Sequence, residues 1–496
     1  MGWIADFIRF WWCLFYWNSH KAWFHLNPSK RRCPCQAQSD SGKAYETECE
    51  ASGSWAKPLR FRRVCPLLVE TPKGRRCSVD ARDVRPFWLR AAAYYGGAAV
   101  VSYLCATLLA FGVLRFAGYP VGLGTVMWPG KWHEFDKAKA QFFFNKGSAA
   151  IAHGDYREGT MALNLAYQLD PSHYSTGLLL ARFATLLQPD NCDRFFNELT
   201  LRNPEQAATT AEHWLRSALA RGNFVVMRDL ALKRLKAGDK PNSPWIHALL
   251  FSTRIIGDDA SLRAFLLSPE GAEWKTLIET EFLIRAGRRT QAEQILSQIW
   301  YPRKTYFAYY QTRQLLALGH PDDAILACGS YQDIMPVSDR VAVFLGALAL
   351  KGDKARLLLE SKNLLGLKDS TCAAVEMLSV HLVTNPDADL FTMLMQYVKD
   401  KPLPRNNAGD RAYLTLFFAA GVMRDNAALS YIQVLLKERS GAPLTSLSAA
   451  EEFFMDSHSL VRLGSFLPVL PVTMDLVYAL HERYATGTQR PPSKTP

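Results

Sequence analysis

The sequence lacks the short motifs that identify most common enzyme classes. It has no Gly-rich phosphate-binding loop, no G-x-S-x-G sequence of a serine hydrolase and no H-E-x-x-H sequence of a zinc protease. The pair His133 and Glu134 is followed by no second histidine at helical spacing. Cys192, Cys328 and Cys372 stand alone, which is typical of cysteines that pack as small hydrophobic residues. We therefore expect no enzymatic activity.

Acidic residues are scarce relative to basic ones, and the deficit is concentrated at one end of the chain. The sequence has 58 Lys and Arg against 46 Asp and Glu, a net charge of +12. Residues 1–90 hold 16 basic and 8 acidic side chains and so carry +8 of that charge. A basic segment beside a membrane span is typical of the cytoplasmic side. We therefore attribute the charge to topology and expect no nucleic-acid partner.

One stretch lacks charge altogether. Residues Ala91 to Leu114 form a run of 24 uncharged residues between Arg90 and Arg115, and a helix needs about 20 apolar residues to cross a bilayer. The run therefore predicts a single transmembrane helix over 91–114. Small residues recur at every fourth position, a pattern that permits self-association of such helices. They are Ala98, Ser102, Ala106 and Ala110.

The charges that flank the predicted span indicate its orientation. Six basic residues lie within the twenty positions before the span, whereas only Arg115 and Lys131 lie in the matching window after it. The positive-inside rule then places residues 1–90 in the cytoplasm. We expect a single-pass protein of the inner (cell) membrane, with its C-terminal region periplasmic or otherwise extracytoplasmic. The six preceding residues are Lys73, Arg75, Arg76, Arg82, Arg85 and Arg90.

Residues 1–28 are rich in tryptophan but contain no apolar run long enough to span. Aromatic rings favour the membrane interface, where the ring body is apolar and one edge is wet. We predict an interfacial helix on the cytoplasmic leaflet; a signal-like segment and a helix buried against partner spans are the alternatives. The tryptophans are Trp3, Trp11, Trp12, Trp17 and Trp23.

Five of the ten cysteines cluster in the basic segment 29–90. A reducing cytoplasm disfavours disulfides, and thiolates are good zinc ligands. We predict a small metal-binding module that holds zinc, with an iron–sulfur cluster or a disordered loop of free thiols as alternatives. The candidate ligands are Cys33, Cys35, Cys49, Cys65 and Cys77.

Part of this segment resembles the SEC-C metal-binding motif. The resemblance covers residues 33–49, with extra residues after Cys35, and Glu50 stands where the motif has a second Cys or a His. It implies that Cys65 or Cys77 supplies a missing ligand, with His20 and His25 as other candidates. The matching residues are Cys33, Pro34, Cys35, Ser41, Gly42, Lys43, Tyr45 and Cys49.

The stretch from Phe143 to Pro171 resembles a tetratricopeptide repeat, a helix–turn–helix unit of 34 residues. Gly147 stands where the first helix needs a small residue, Ala166 packs the second helix, and Leu169-Asp170-Pro171 ends it. Lys146 and Gly159 depart from the family pattern, which has Leu and Ala there. The resemblance implies an all-α solenoid of stacked helix pairs.

Turn signals recur at intervals of about 30 to 39 residues, close to the length of such a repeat. We therefore predict an all-α, tetratricopeptide-like solenoid over 131–485, a linker over 115–130 and a disordered tail over 486–496. The nine signals are Gly154-Asp155, Gln188-Pro189-Asp190, Gly222-Asn223, Gly257-Asp258, Gly287-Arg288, Gly319-His320-Pro321, Gly352-Asp353, Asn385-Pro386-Asp387 and Arg424-Asp425-Asn426.

The same resemblance implies a partner-binding surface on the inner face of the first helices. In the best-matched repeat it consists of Gln141, Phe144, Ser148 and Ile151. We expect protein partners that present helical or extended segments with apolar anchors. The leading hypothesis is a membrane-anchored scaffold for the assembly of an envelope complex. The alternative is a transmembrane regulator that couples an external solenoid to a cytoplasmic zinc-binding module.

Overall fold

The computed structural model describes residues 96–485, apart from 239, 241, 368–369, 441–444 and 457. It also describes the strand residues 68–71 and 74–77 and the single positions Trp12, Phe15 and Ser19. The chain divides into two compact units, Met1–Phe142 and Phe143–Pro496. The predictions for the interfacial helix 1–28, for most of the segment 29–90 and for the tail 486–496 fall outside the described residues.

The first unit contains a β-hairpin and an apolar helix. Strands β1 (Leu68–Thr71) and β2 (Gly74–Cys77) pair antiparallel, with Leu68 opposite Cys77. Helix α1 (Gly97–Phe116) has the length and composition needed to cross a membrane, and only 6% of its apolar stretch is buried. The helix ends two residues after the predicted end of the span, with Arg115 in its last turn.

The predicted linker 115–130 forms structure of its own. It contains α2 (Leu123–Met127) and a 3₁₀ turn (Pro129–Lys131), and α2 packs against α1. Tyr119 and Phe142 place their ring centroids 4.6 Å apart, which ties the start of the linker to α3 (Glu134–Ala152).

The second unit is helical throughout its described residues. Beyond α3, its helices are α4 (Tyr156–Leu169), α5 (Tyr174–Leu187), α6 (Pro189–Arg202), α7 (Ala207–Arg221), α8 (Phe224–Lys236), α9 (Ser243–Ile256), α10 (Asp259–Leu266), α11 (Lys275–Arg285), α12 (Arg289–Leu296), α13 (Thr305–Leu318), α14 (Pro321–Ser330), α15 (Val337–Lys351), α16 (Lys354–Leu365), α17 (Thr371–Thr384), α18 (Ala388–Asp400), α19 (Asn407–Met423), α20 (Asn426–Ser440), α21 (Thr445–Met455), α22 (Leu463–Phe466) and α23 (Met474–Ala485). Short 3₁₀ turns lie at Pro204–Gln206, Pro269–Trp274 and Leu467–Val469.

Each of the nine predicted turns lies at a junction of two helices, and a Gly-Asp pair explains three of them. Gly257 ends α9 in the left-handed conformation, with a φ of 70°, which glycine adopts without steric cost. Asp258 then accepts a hydrogen bond from the Ser261 N–H at 3.0 Å and so caps α10. Gly352 and Asp353 do the same between α15 and α16. Two residues thus end one helix and begin the next.

Neighbouring helices along the chain pack on one another, an arrangement compatible with a helical-repeat solenoid. The first pair also explains a departure from the tetratricopeptide pattern. A Cβ added at Gly159 would lie 2.5 Å from Ile151 Cγ1, so the alanine of the family pattern would require Ile151 to move. A Cβ at Gly147 would lie 3.0 Å from the Gly159 carbonyl oxygen. The two glycines let α3 and α4 approach closely.

The C-terminal end of the unit returns to its earlier helices. α22 and the 3₁₀ turn Leu467–Val469 pack on α7, and α23 packs on α7 and α17. Gly464 lies directly against the backbone of Arg221, since a Cβ there would be 2.5 Å from the Arg221 carbonyl oxygen. The unit therefore contains contacts between helices that are distant in the sequence, in addition to the contacts between consecutive helices.

Candidate functional site

Helix α23 is surrounded by other helices over its central residues. Residues 476–481 are all buried, so no side of this part of the helix faces solvent. A surface helix would expose at least one stripe. α23 therefore fills the space that α7, α9, α13 and α17 leave between them, and a partner cannot enter that space while the helix is in place.

Aromatic contacts hold α23 against α9 and α8. The Tyr478 ring stacks on His247 with centroids 4.2 Å apart and meets Phe251 edge-on at 4.8 Å. The His481 ring meets Phe224 edge-on at 5.1 Å. Burial, followed by Arg313 and Arg254, lowers the pKa of His247 to about 3, and burial lowers the pKa of His481 to about 4. Both rings are therefore neutral at pH 7.

A buried carboxylate lies at the centre of the neighbouring charged network. Glu281 is fully buried and accepts hydrogen bonds from Arg254 Nη2 at 2.8 Å, Arg285 Nε at 2.9 Å and Tyr310 Oη at 2.7 Å. Burial alone would raise its pKa, but the two guanidinium groups and the tyrosine outweigh burial and lower it. The network joins α9, α11 and α13 and satisfies both carboxylate oxygens.

A second set of charges surrounds Arg313 and links it to α23. Arg313 Nη2 lies 3.6 Å from Glu482 Oε2, and Arg254 Nη1 lies 3.9 Å from Glu482 Oε1. Asp339 is half-buried and Asp475 is exposed, and desolvation raises the pKa of both carboxyl groups. These groups orient α23 and form no arrangement of nucleophile and base.

The first helix pair presents a different surface. A groove of about 540 Å³ opens between α3 and α4, and two of the side chains that line it, Met161 and Leu165, are 66% and 40% exposed. Lys146 Nζ and Glu158 Oε1 form an exposed ion pair, 2.9 Å apart, at its edge. The lining residues are Phe143, Lys146, Asp155, Arg157, Glu158, Met161, Ala162 and Leu165.

The predicted partner-binding residues lie on α3, and all four are half-buried. Gln141 belongs to the first unit, and the other three belong to the second. Phe144 packs edge-on against His173 with centroids 5.2 Å apart, and Ile151 lies against Gly159. Ser148 Oγ is buried without a hydrogen-bond partner. Phe144 thus packs against the residue that precedes α5, and Ile151 packs against α4. The more exposed apolar side chains of this helix pair are those of α4.

The predicted metal site lies mainly outside the described residues, as do Cys33, Cys35, Cys49 and Cys65. Cys77 is described by its backbone alone, at the end of β2. Among the side chains that the structure describes, no three from His, Cys, Asp or Glu come together as metal ligands. The zinc hypothesis therefore stays a prediction from the sequence.

Sequence reasoning missed the groove on α4 and the buried network around Glu281. Met161 and Leu165 are four residues apart on one helix face, a spacing that could have indicated an apolar stripe away from the core. Glu281 has no such signal, because an isolated glutamate in a helix is usually exposed. No protein-family model, curated protein or solved structure matches this chain.

Proposed function

We propose that this protein is a membrane-anchored, tetratricopeptide-like scaffold. Its helical unit binds protein partners outside the cytoplasm during assembly of an envelope complex. α1, which overlaps the predicted span 91–114, is the anchor, and the basic residues before it set the orientation. The function is non-catalytic and depends on which surface remains open to partners.

The observation that carries this proposal is the exposed groove of the first helix pair. Met161 and Leu165, which line this groove, are exposed apolar side chains, and the Lys146–Glu158 ion pair lies at its rim. An apolar centre with a polar rim is the usual anatomy of a protein-binding surface. A partner helix with apolar side chains at helical spacing fits this groove.

The remainder of the helical unit supports a binding role rather than catalysis. α23 occupies the space between α7 and α17 with its own side chains. Burial raises the pKa of the Cys328 and Cys372 thiols, which disfavours the reactive thiolate form. The groove between α3 and α4, in contrast, is open to an external partner.

The test is affinity purification of the full chain from its native membrane in two charge variants. Met161→Glu places a carboxylate in the groove, whereas Leu326→Glu places one at a 72% exposed leucine on α14. We expect Met161→Glu to lose the co-purifying partner proteins and Leu326→Glu to keep them. Loss in both variants, or in neither, would contradict the assignment of the groove.

A further inference from the structure

The chain that follows α1 turns back beside the helix. Tyr103 donates its hydroxyl to the Met127 carbonyl, although Tyr103 lies thirteen residues before the end of α1. Val126 of α2 is buried, as is Thr107 of α1. At about 1.5 Å per residue, Tyr103 lies roughly 20 Å from the Phe116 end. α2 is therefore level with the middle of the apolar helix.

Charged residues lie close to α2 and therefore at the same level along α1 as Tyr103. The Thr125 hydroxyl donates to Glu134 Oε2 at 2.9 Å, and Thr125 is two residues from Met127. Lys131 and Asp136, on either side of this contact in the sequence, are exposed. If the bilayer surface lay at Arg115, Tyr103 would be about 18 Å inside a hydrocarbon core about 30 Å thick. The three charged groups would then lie near the middle of the lipid.

That placement is unfavourable by a wide margin. A charged side chain near the centre of a bilayer costs several times more free energy than a leucine gains there. Four large exposed apolar side chains, Leu108, Leu109, Val113 and Phe116, would remain outside the hydrocarbon. Each forfeits only about 0.3–0.6 kcal/mol, whereas each charged side chain inserted near the bilayer centre costs about 2.5–3.5 kcal/mol. The charges therefore decide where the bilayer ends.

Aromatic side chains identify the level at which it ends. Trp128 and Trp132 are exposed, and the Trp132 indole N–H donates to the Val126 carbonyl at 3.4 Å. Tyr103 lies at the same level through its bond to Met127. Tyrosine and tryptophan collect at the boundary between hydrocarbon and headgroups, and Lys131 beside them suits the headgroup region.

The part of the apolar run on the N-terminal side of the proposed boundary is long enough to cross a bilayer. Residues 91–107 are uncharged and number 17, at the short end of the range for a transmembrane helix. Arg90 and Trp88 precede them, and they suit the opposite interface in the same way.

We propose that the bilayer surface on the C-terminal side of α1 lies at Tyr103 to Thr107, where Trp128 and Trp132 bind the lipid headgroup region. Residues 108–116 then stand above the lipid as a stalk against which α2 packs. This inference rests on the membrane anchoring in the proposed function, and the test below separates the two.

The test compares the alkylation of single introduced cysteines in the full chain. Leu109→Cys and Val113→Cys lie on the proposed stalk, and Val100→Cys and Val101→Cys lie on the proposed lipid-embedded part. The native side chains are exposed to similar extents, with 70% for Leu109 and 59% for Val101, so packing alone does not separate them. Open membrane fragments receive a water-soluble maleimide, and mass spectrometry reads each site separately from the native cysteines.

We expect the two stalk positions to react at least about tenfold faster than the two embedded positions, because the maleimide and the reactive thiolate both need water. Slow reaction at all four positions would place the boundary at Arg115 and overturn this inference while keeping the anchor. Fast reaction at all four would show that α1 is not in lipid and would overturn the anchoring as well.

Discussion

Two regions of the helical unit contain similar side chains, which are buried in one region and exposed in the other. Around α23, Tyr478 is stacked between rings and Glu281 is fully buried among its partners. On the first helix pair, Tyr156 is exposed and Glu158 forms its ion pair with Lys146 at the surface. The residue types are alike, but the first region is satisfied internally, whereas the second leaves apolar surface open. The described residues thus include one region that is closed by its own contacts and one, the groove between α3 and α4, where we propose that partners bind.

The largest effect should follow from loss of the buried carboxylate. Glu281→Ala leaves Arg254 and Arg285 without their shared partner, and removal of one member of a buried ionic network typically costs about 3–5 kcal/mol. Urea unfolding of the full chain in detergent measures the free energy of unfolding. Asp322→Asn is the matched control, because its ion pair with Lys351 is exposed and such pairs contribute about 0–1 kcal/mol. Similar losses in both variants would remove the distinction between the two regions.

The second effect concerns the aromatic contacts of α23. Tyr478→Ala removes the stacking on His247 and leaves a cavity, which should cost about 3 kcal/mol. Tyr156→Ala on the first helix pair should change the free energy of unfolding by less than about 0.5 kcal/mol, because the ring is exposed. Equal losses measured for the two variants would indicate that the tyrosines are equally packed.

The third effect is a dependence on pH. The folded-state pKa of His481 is about 4, below the ordinary value of about 6.5. Its stabilising contribution is complete above the ordinary value and declines as the pH falls from about 6.5 toward 4, by roughly 1–2 kcal/mol between pH 7 and pH 5. Asp339 and Asp475 act in the opposite direction, because their raised pKa values favour the folded state at low pH.

His481→Asn isolates the histidine contribution from that of the carboxyl groups. We expect the variant to lose less stability than the wild-type chain between pH 7 and pH 5, as measured by urea unfolding at each pH. If the variant and the wild-type chain lost the same free energy of unfolding between pH 7 and pH 5, His481 would titrate normally and would not be enclosed by α7 and α8.

The smallest effect is expected on the first helix pair. Met161→Glu should change the free energy of unfolding by no more than about 0.5 kcal/mol, since the side chain is mostly exposed. The measurement is the same urea titration. A loss of several kcal/mol would show that Met161 belongs to the core, and partner loss in that variant would then report unfolding.

The regions also differ in how far the sequence predicts them. The sequence predicts the nine turns correctly because turn residues act locally. In the three Gly-Asp pairs, for example, a glycine such as Gly257 ends one helix and an aspartate such as Asp258 caps the next. The return of α23 to α7 and α9 joins residues more than two hundred positions apart, and no local pattern encodes it. The partner residues on α3 came from a family resemblance, which identifies the helix pair but not the exposed face of α4.

The fold-back after α1 was missed for a related reason. The uncharged run after Arg115 is rich in glycine and proline, a composition that predicts a linker. The hydrogen bond from Tyr103 to Met127 shows that the run packs on the helix that precedes it. A hydropathy pattern counts apolar residues, but it does not register that the next segment brings charges back alongside them.

Site-specific photo-cross-linking in living cells tests the central claim most directly. A photoreactive amino acid at Met161 faces the open groove, and the same amino acid at Tyr478 lies inside the closed region. We predict that the probe at Met161 captures a distinct partner protein, whereas the probe at Tyr478 yields only cross-links within the chain. Capture of a partner from position 478, with none from position 161, would contradict the account.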